Sequence, residues 1–107
     1  MYNIVLLCQY GASTGLVADK ITEAAKKRGI EAAVNAYSIS EAANVIPTAD
    51  VVLLGPQVRF HLKNLEKAYG HYGIPMVAMN PVDYGRLNGE GILDFTLEVL
   101  EKNKGKL

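Results

Sequence analysis

With 107 residues and a mass of 11.6 kDa, the chain can bury one hydrophobic core and is too short for two, so a single domain over residues 1–107 is expected. Eleven basic and eleven acidic residues cancel, and no basic cluster with interleaved aromatics occurs, which argues against nucleic acid or an anionic membrane surface as a direct ligand. Half of the residues are apolar, but they fall in short runs far below the roughly 18 consecutive apolar residues of a transmembrane helix, so no membrane-inserted segment is expected.

The amino-terminal stretch Met1-Tyr2-Asn3-Ile4-Val5-Leu6-Leu7-Cys8 superficially resembles a lipoprotein signal. It lacks a basic leader, and its apolar core is shorter than the roughly 7–15 residues of a signal peptide, so export is not expected. Cys8 is the sole cysteine. It cannot form an intramolecular disulfide, which fits a reducing cytoplasm. His61 and His71, without a cysteine or carboxylate at ligand spacing, give no metal site, and no cofactor is expected.

Residues 3–7 form a short continuous apolar run bounded by a glycine-containing loop, the pattern of a strand buried on both faces of a parallel sheet. The following stretch, Cys8-Gln9-Tyr10-Gly11-Ala12-Ser13-Thr14-Gly15, leads into a helix from Thr14 or Gly15 to Arg28. Leu16, Val17, Ile21, Ala24 and Ala25 keep helical spacing there, Ser13 or Thr14 can cap the start, and Gly29 ends it. Residues 32–37 read as a weaker strand at an edge, and Ser38 as the cap of a short helix reaching Ala43. Residues 50–54 are a third strand, closed by Gly55-Pro56-Gln57, with a helix striped by Val58, Leu62, Leu65 and Tyr69 behind it. A fourth strand spans residues 74–79, with Pro75 at its start where proline is tolerated. Residues 80–89 read as a loop carrying Pro81, Asp83, Tyr84 and Arg86, and a last amphipathic helix runs from about Gly91 to Lys102.

Four strands alternating with helices imply βαβ units, hence an α/β fold with a parallel sheet covered on both faces. Ligands of such folds sit beyond the carboxyl ends of the strands, where strand order reverses. If the first and third strands are neighbours, the segments starting at Cys8, Gln57 and Asn80 open onto one edge. A helix amino terminus favours an anion through its unsatisfied amides and its dipole, and both effects favour a thiolate. Gly11, Ala12, Ser13 and Gly15 are small enough to let a phosphoryl group reach the backbone. The spacing is neither a Walker loop nor a dinucleotide fingerprint. A cysteine after an apolar strand is also often a small buried hydrophobe, and the local sequence leaves both readings open.

Val5-Leu6-Leu7-Cys8 with Gly11, Ser13 and Thr14, then Asp50-Val51-Val52-Leu53-Leu54-Gly55-Pro56-Gln57, and later Tyr84-Gly85 with Asn88-Gly89, strongly resemble the enzyme IIB component of the bacterial sugar phosphotransferase system, lactose/cellobiose (chitobiose) branch. The resemblance covers nearly the whole chain. It implies a four-stranded parallel sheet in the flavodoxin-like order 2-1-3-4, similar to low-molecular-weight tyrosine phosphatases. It also implies a cytoplasmic phosphocarrier, monomeric outside its complex, whose Cys8 accepts a phosphoryl group from a phosphohistidine on a IIA component. That group passes to a sugar, a β-linked disaccharide such as cellobiose, chitobiose or lactose, held by the membrane IIC component. The phosphate-binding loop falls on Gln9, Tyr10, Gly11, Ala12, Ser13, Thr14 and Gly15, and the lack of a linker implies a separate subunit.

The tyrosine phosphatases place an arginine where Thr14 stands, and no Arg or Lys occurs between Cys8 and Lys20. The loop must therefore hold a phosphoryl group with amides and hydroxyls, which suits a carrier better than a hydrolase. Gln57 can orient the loop from the neighbouring strand end. Asp83 and Tyr84 occupy the region that supplies a phosphatase's general acid, although a thiolate or imidazole leaving group needs an acid less than an alkoxide does, and a turn or cap role also fits Asp83. Arg59 fits partner docking or a solvated helix face, and His61 the latter. A cysteine-dependent phosphatase and a flavodoxin-like binding module are the alternative functions.

Overall fold

The computed structural model describes residues 1–9 and 12–104, with Ala12, Ser13 and Lys104 described by their backbone alone. Tyr10 and Gly11, assigned to the loop from the sequence, lie outside the described residues, as do the side chains of Ala12 and Ser13. The strands are β1 (Tyr2–Cys8), β2 (Ala32–Ser38), β3 (Val51–Leu54) and β4 (Met76–Ala78). They form a parallel sheet in the order β2-β1-β3-β4, the expected one. β1 is central, and its hydrogen-bonding edges are paired with β2 on one side and β3 on the other.

The period of two along β1 builds two separate cores. Ile4 and Leu6 face α1 (Ala12–Lys27) and the carboxy-terminal helix, packing with Val17, Ile21, Val51, Leu53, Ile92 and Leu93. Val5 and Leu7 face the other way, onto Ile46, Val52, Leu54, Val58 and Leu65. A strand buried on both faces needs an unbroken apolar run, which is why residues 4–7 do not alternate with polar ones. Each such side chain contributes about 1.5–3 kcal/mol by leaving water.

After β2, a capped 3-10 turn at Ile39–Glu41 leads into α2 (Ala42–Val45) and a second 3-10 turn at Ile46–Thr48. Ser38 is the expected cap, in a reciprocal capping box with Glu41. After β3, the segment Pro56–His61 is 3-10 rather than α, and α3 (Leu62–Tyr69) begins only beyond it. β4 is shorter than residues 74–79 and starts one residue after Pro75, whose carbonyl still accepts from Val52 N–H at 2.9 Å. The stretch read as a loop over residues 80–89 contains a helix instead, α4 (Pro81–Gly85). Asn80 Oδ1 accepts from the Val82 and Asp83 amides at 2.8 and 3.2 Å, and Pro81 sits at the first helical position, where its missing N–H costs nothing.

α1 begins at Ala12 rather than at Thr14 or Gly15, and α5 runs Gly89–Lys104. Gly29 ends α1 as expected, at φ 67°, with Ile30 N–H donating to Ala25 O and Gly29 N–H to Lys26 O in a Schellman arrangement. α1 and α5 cross where Gly89 faces the Lys20 carbonyl, so closely that a Cβ on Gly89 would overlap it. Arg28 ties the far end of the crossing together, reaching Asp94 Oδ1 and Glu90 Oε1, both at 2.6 Å. Its hydrogen bonds to Asp94 and then Glu90 raise the guanidinium pKa from an already high value. Leu16, assigned to the apolar stripe of α1, is 60 % exposed instead. It points well away from the stripe made by Val17, Ala18, Ile21, Ala24 and Ala25.

Candidate functional site

Cys8 is the last residue of β1, within the strand rather than in the loop after it, and opposes Ser38 of β2 in the parallel register. It has the same parity as Ile4 and Leu6, so strand geometry aims its side chain at the α1 layer. Thr14 meets it from that layer. Thr14, Val17, Ala18 and Ile21 stand at positions i, i+3, i+4 and i+7, one face of a helix, and all four are buried. The two periodicities converge. Thr14 Oγ1 donates to Cys8 Sγ at 3.0 Å, with Thr14 0 % and Cys8 4 % exposed.

The early start of α1 is what makes this contact. A helix starting at Thr14 would leave that hydroxyl to cap backbone amides, whereas a helix starting at Ala12 places it inside the first turn, aimed at the sulfur. Cys8 therefore lies at the amino-terminal end of a helix of 16 residues, where the helix dipole favours negative charge. Ser38 contributes a contact that its reading as a helix cap omitted: Ser38 Oγ donates to the Gln9 carbonyl at 3.0 Å. The signal for it was the parallel pairing of residues 32–37 with β1, which puts the residue after Tyr37 beside Cys8.

The neighbouring strand ends close in from the other side. Gly55 N–H donates to Leu7 O and Met79 N–H to Leu54 O, both at 2.8 Å, so the ends of β1, β3 and β4 share one edge. The point where a Cβ would stand on Gly55 is 3.0 Å from Gln57 Oε1 and 3.6 Å from Cys8 Cβ. The Gln57 carboxamide thus folds back over Gly55 toward the cysteine, although the residue is otherwise exposed.

Asp83 and Tyr84 lie on α4. Asp83 Oδ1 accepts from Asn88 Nδ2 at 3.1 Å and the Asp83 carbonyl accepts from Asn88 N–H at 2.9 Å, which joins α4 to α5. Tyr84 packs against the α1-side core. Arg59 is exposed, and the His61 ring lies against Phe60 with centroids 4.3 Å apart.

A cleft of about 460 Å³ lined by Glu66, Ile74, Met76, Val99 and Lys102 opens at the amino end of β4, the opposite pole of the sheet. The Cys8–Thr14 contact sits instead at the carboxyl edge, at the switch point beside β1, where ligands of this topology bind. Among the described residues, no group of three or more His, Cys, Asp and Glu is placed to hold a metal ion. None of their helices is long and apolar enough to cross a membrane.

The fold and this edge define a doubly wound α/β domain with a hydrogen-bonded thiol at its switch point and a helix amino terminus beside it. Residues 3–95 match the family described as PTS system, lactose/cellobiose specific IIB subunit, and the chain belongs to that family. It is 35 % identical over 95 residues to the PTS system galactose-specific EIIB component of Lactococcus lactis subsp. cremoris, covering 84 % of this chain and 88 % of the relative. It is 32 % identical over 100 residues to the oligo-beta-mannoside-specific EIIB component of Bacillus subtilis, covering 94 % and 97 %. The solution structure of the cellobiose-specific IIB component from Borrelia burgdorferi superposes with a TM-score of 0.78 at 36 % identity, covering 95 % of this chain and 94 % of that one. Other relatives are lactose-specific EIICB components, such as that of Lacticaseibacillus casei, in which the match takes up 17 % of the length.

Proposed function

We propose that the protein is a phosphocarrier in which Cys8 receives a phosphoryl group from a phosphohistidine on a IIA component and passes it to a sugar bound by a membrane IIC component. The observation that carries this reading is the 3.0 Å hydrogen bond from buried Thr14 to Cys8 Sγ at the start of α1. A hydroxyl donating to the sulfur stabilises the thiolate that must attack. In the first step that thiolate attacks phosphorus, an S–P bond forms, the N–P bond breaks, and imidazole leaves. In the second, a sugar hydroxyl attacks phosphorus, an O–P bond forms, the S–P bond breaks, and the hydroxyl proton goes to a base on the IIC side.

Phosphoryl transfer depends on positioning and on neutralising charge at the equatorial oxygens. With Thr14 in the place of a phosphatase arginine, the site supplies amides of residues 9–15 and hydroxyls but no cation of its own from that segment. The phosphocysteine is then slow to react with water, and the partner completes the charge stabilisation. The relatives named for cellobiose, oligo-beta-mannoside and lactose support a β-linked sugar, beside one named for galactose, and the EIICB relatives support a place against the membrane component.

The test is to supply phosphoenolpyruvate, the general phosphotransferase components and a cognate IIA, and to weigh the intact protein. One added phosphoryl group on wild type and none on Cys8→Ser is the expected result. A phosphoryl group that persists in Cys8→Ser, or its absence from wild type, overturns the assignment. Rapid hydrolysis of an aryl phosphate by the isolated protein would instead favour a phosphatase.

A further inference from the structure

The Cys8 segment is tied to the edge strand by a hydroxyl that the transfer chemistry does not use. Ser38 is half-buried at the end of β2, and its Oγ donates to Gln9 O at 3.0 Å. The same oxygen accepts from Ser40 N–H at 3.3 Å and lies 3.0 Å from Ser40 Oγ. A hydroxyl has one proton and two lone pairs. The Gln9 carbonyl can only accept, so the Ser38 proton that goes to it leaves both lone pairs of Ser38 Oγ to the Ser40 amide and hydroxyl. The Ser38 N–H meanwhile donates to Glu41 Oε2 at 3.2 Å. The turn after β2 therefore accommodates the Ser38–Gln9 bond as well as capping itself.

A carbonyl adjacent to an anion site is a hazard, because the negative end of its dipole repels the anion and competes for the donors that should hold it. Gln9 O is one peptide from the nucleophile. We propose that Ser38 is a positioning residue for phosphoryl transfer: by clamping Gln9 O toward β2 it keeps that carbonyl out of the space the phosphoryl group occupies. This rests on Cys8 being the phosphorylated residue.

Full-length Ser38→Ala, Ser38→Thr and Glu41→Ala are compared with wild type in rapid-quench transfer from the phosphorylated IIA component across a range of donor concentrations. Ser38→Ala should lower kcat about tenfold, the effect of one lost positioning hydrogen bond, with KM for the donor within about twofold. Ser38→Thr should restore kcat to within about threefold. Glu41→Ala, which removes the return bond of the capping box but leaves the clamp, should keep wild-type kcat while lowering Tm. The carbonyl carbon resonance of Gln9 in the unphosphorylated protein should move in Ser38→Ala and stay in place in Glu41→Ala, a readout independent of turnover. Wild-type kcat in Ser38→Ala, or an equal loss in Glu41→Ala, overturns the proposal, as does a Gln9 resonance that responds to both variants or to neither. A wild-type protein that takes no phosphoryl group on Cys8 overturns the phosphocarrier reading itself and is distinguished by that control.

Discussion

Replacing Thr14 with valine removes one hydrogen-bond donor and keeps the shape of the side chain. Thr14 is 0 % exposed and its Oγ1 lies 3.0 Å from Cys8 Sγ, so no water takes the place of the lost hydroxyl. Hydrogen bonds to charged groups contribute roughly 1.5–3 kcal/mol, and each 1.36 kcal/mol is a factor of about ten in rate. If the bond acts on the attacking thiolate, Thr14→Val should slow phosphoryl transfer from the IIA component about 10- to 150-fold. Thr14→Ser keeps the hydroxyl and should transfer within a few-fold of wild type, despite losing a buried methyl. Rapid-quench kinetics with phosphorylated IIA measure both variants, and circular dichroism establishes that each remains folded. Transfer by Thr14→Val within about twofold of wild type would show that the Thr14–Cys8 contact is packing alone, and the chemistry would then rest on backbone amides.

Gly89→Ala should destabilise the protein by about 1–3 kcal/mol, because the new Cβ overlaps the Lys20 backbone and α1 and α5 must separate to admit it. At roughly 4–8 °C per kcal/mol for a domain of this size, thermal unfolding should report a clear drop in Tm; an unchanged Tm would mean that the crossing is looser than described. Arg28→Met should lower Tm at low ionic strength, with the difference from wild type shrinking in about 1 M salt, since its partners Glu90 and Asp94 are solvent-accessible. The Arg28 pKa is raised in the folded state, so the stabilisation linked to it is complete from neutral pH up to its unfolded value, while its carboxylate partners are ionised, and is lost in strong alkali. Wild type and Arg28→Met should therefore differ by a constant Tm between pH 6 and 9, an interval of about three units chosen well below the arginine range.

The parallel sheet and its buried central strand are readable because each is written in a strong period, whereas the strand order comes with the family resemblance. Residues 4–7 admit no polar position, and the alternation of strands with helices leaves few topologies open. The misread segments are those where local chemistry outweighs periodicity. Residues 80–89, with Pro81, Asp83, Tyr84 and Arg86, read as a loop, yet Asn80 and Pro81 together start a helix. Leu16 was counted into the α1 stripe by residue type, although one helical step separates it from Val17 and turns it to solvent. For the site, the sequence identified Thr14 by what it replaces, an arginine. Its contact with sulfur follows from its i, i+3, i+4, i+7 relation to Val17, Ala18 and Ile21, a pattern visible only once the helix start moves back to Ala12. The Ser38 clamp depends on strand register, which no local motif records.

β1 is hydrogen-bonded to β3 through Leu7 and to β2 through Cys8 itself, and its side chains interlock with apolar layers above and below. The strand that ends in Cys8 is accordingly held along both edges as far as Leu7 and packed on both faces. On the phosphocarrier reading, a group taken from one macromolecule and surrendered to another rides on a fixed pedestal, so that donor and acceptor meet the same target in the same orientation.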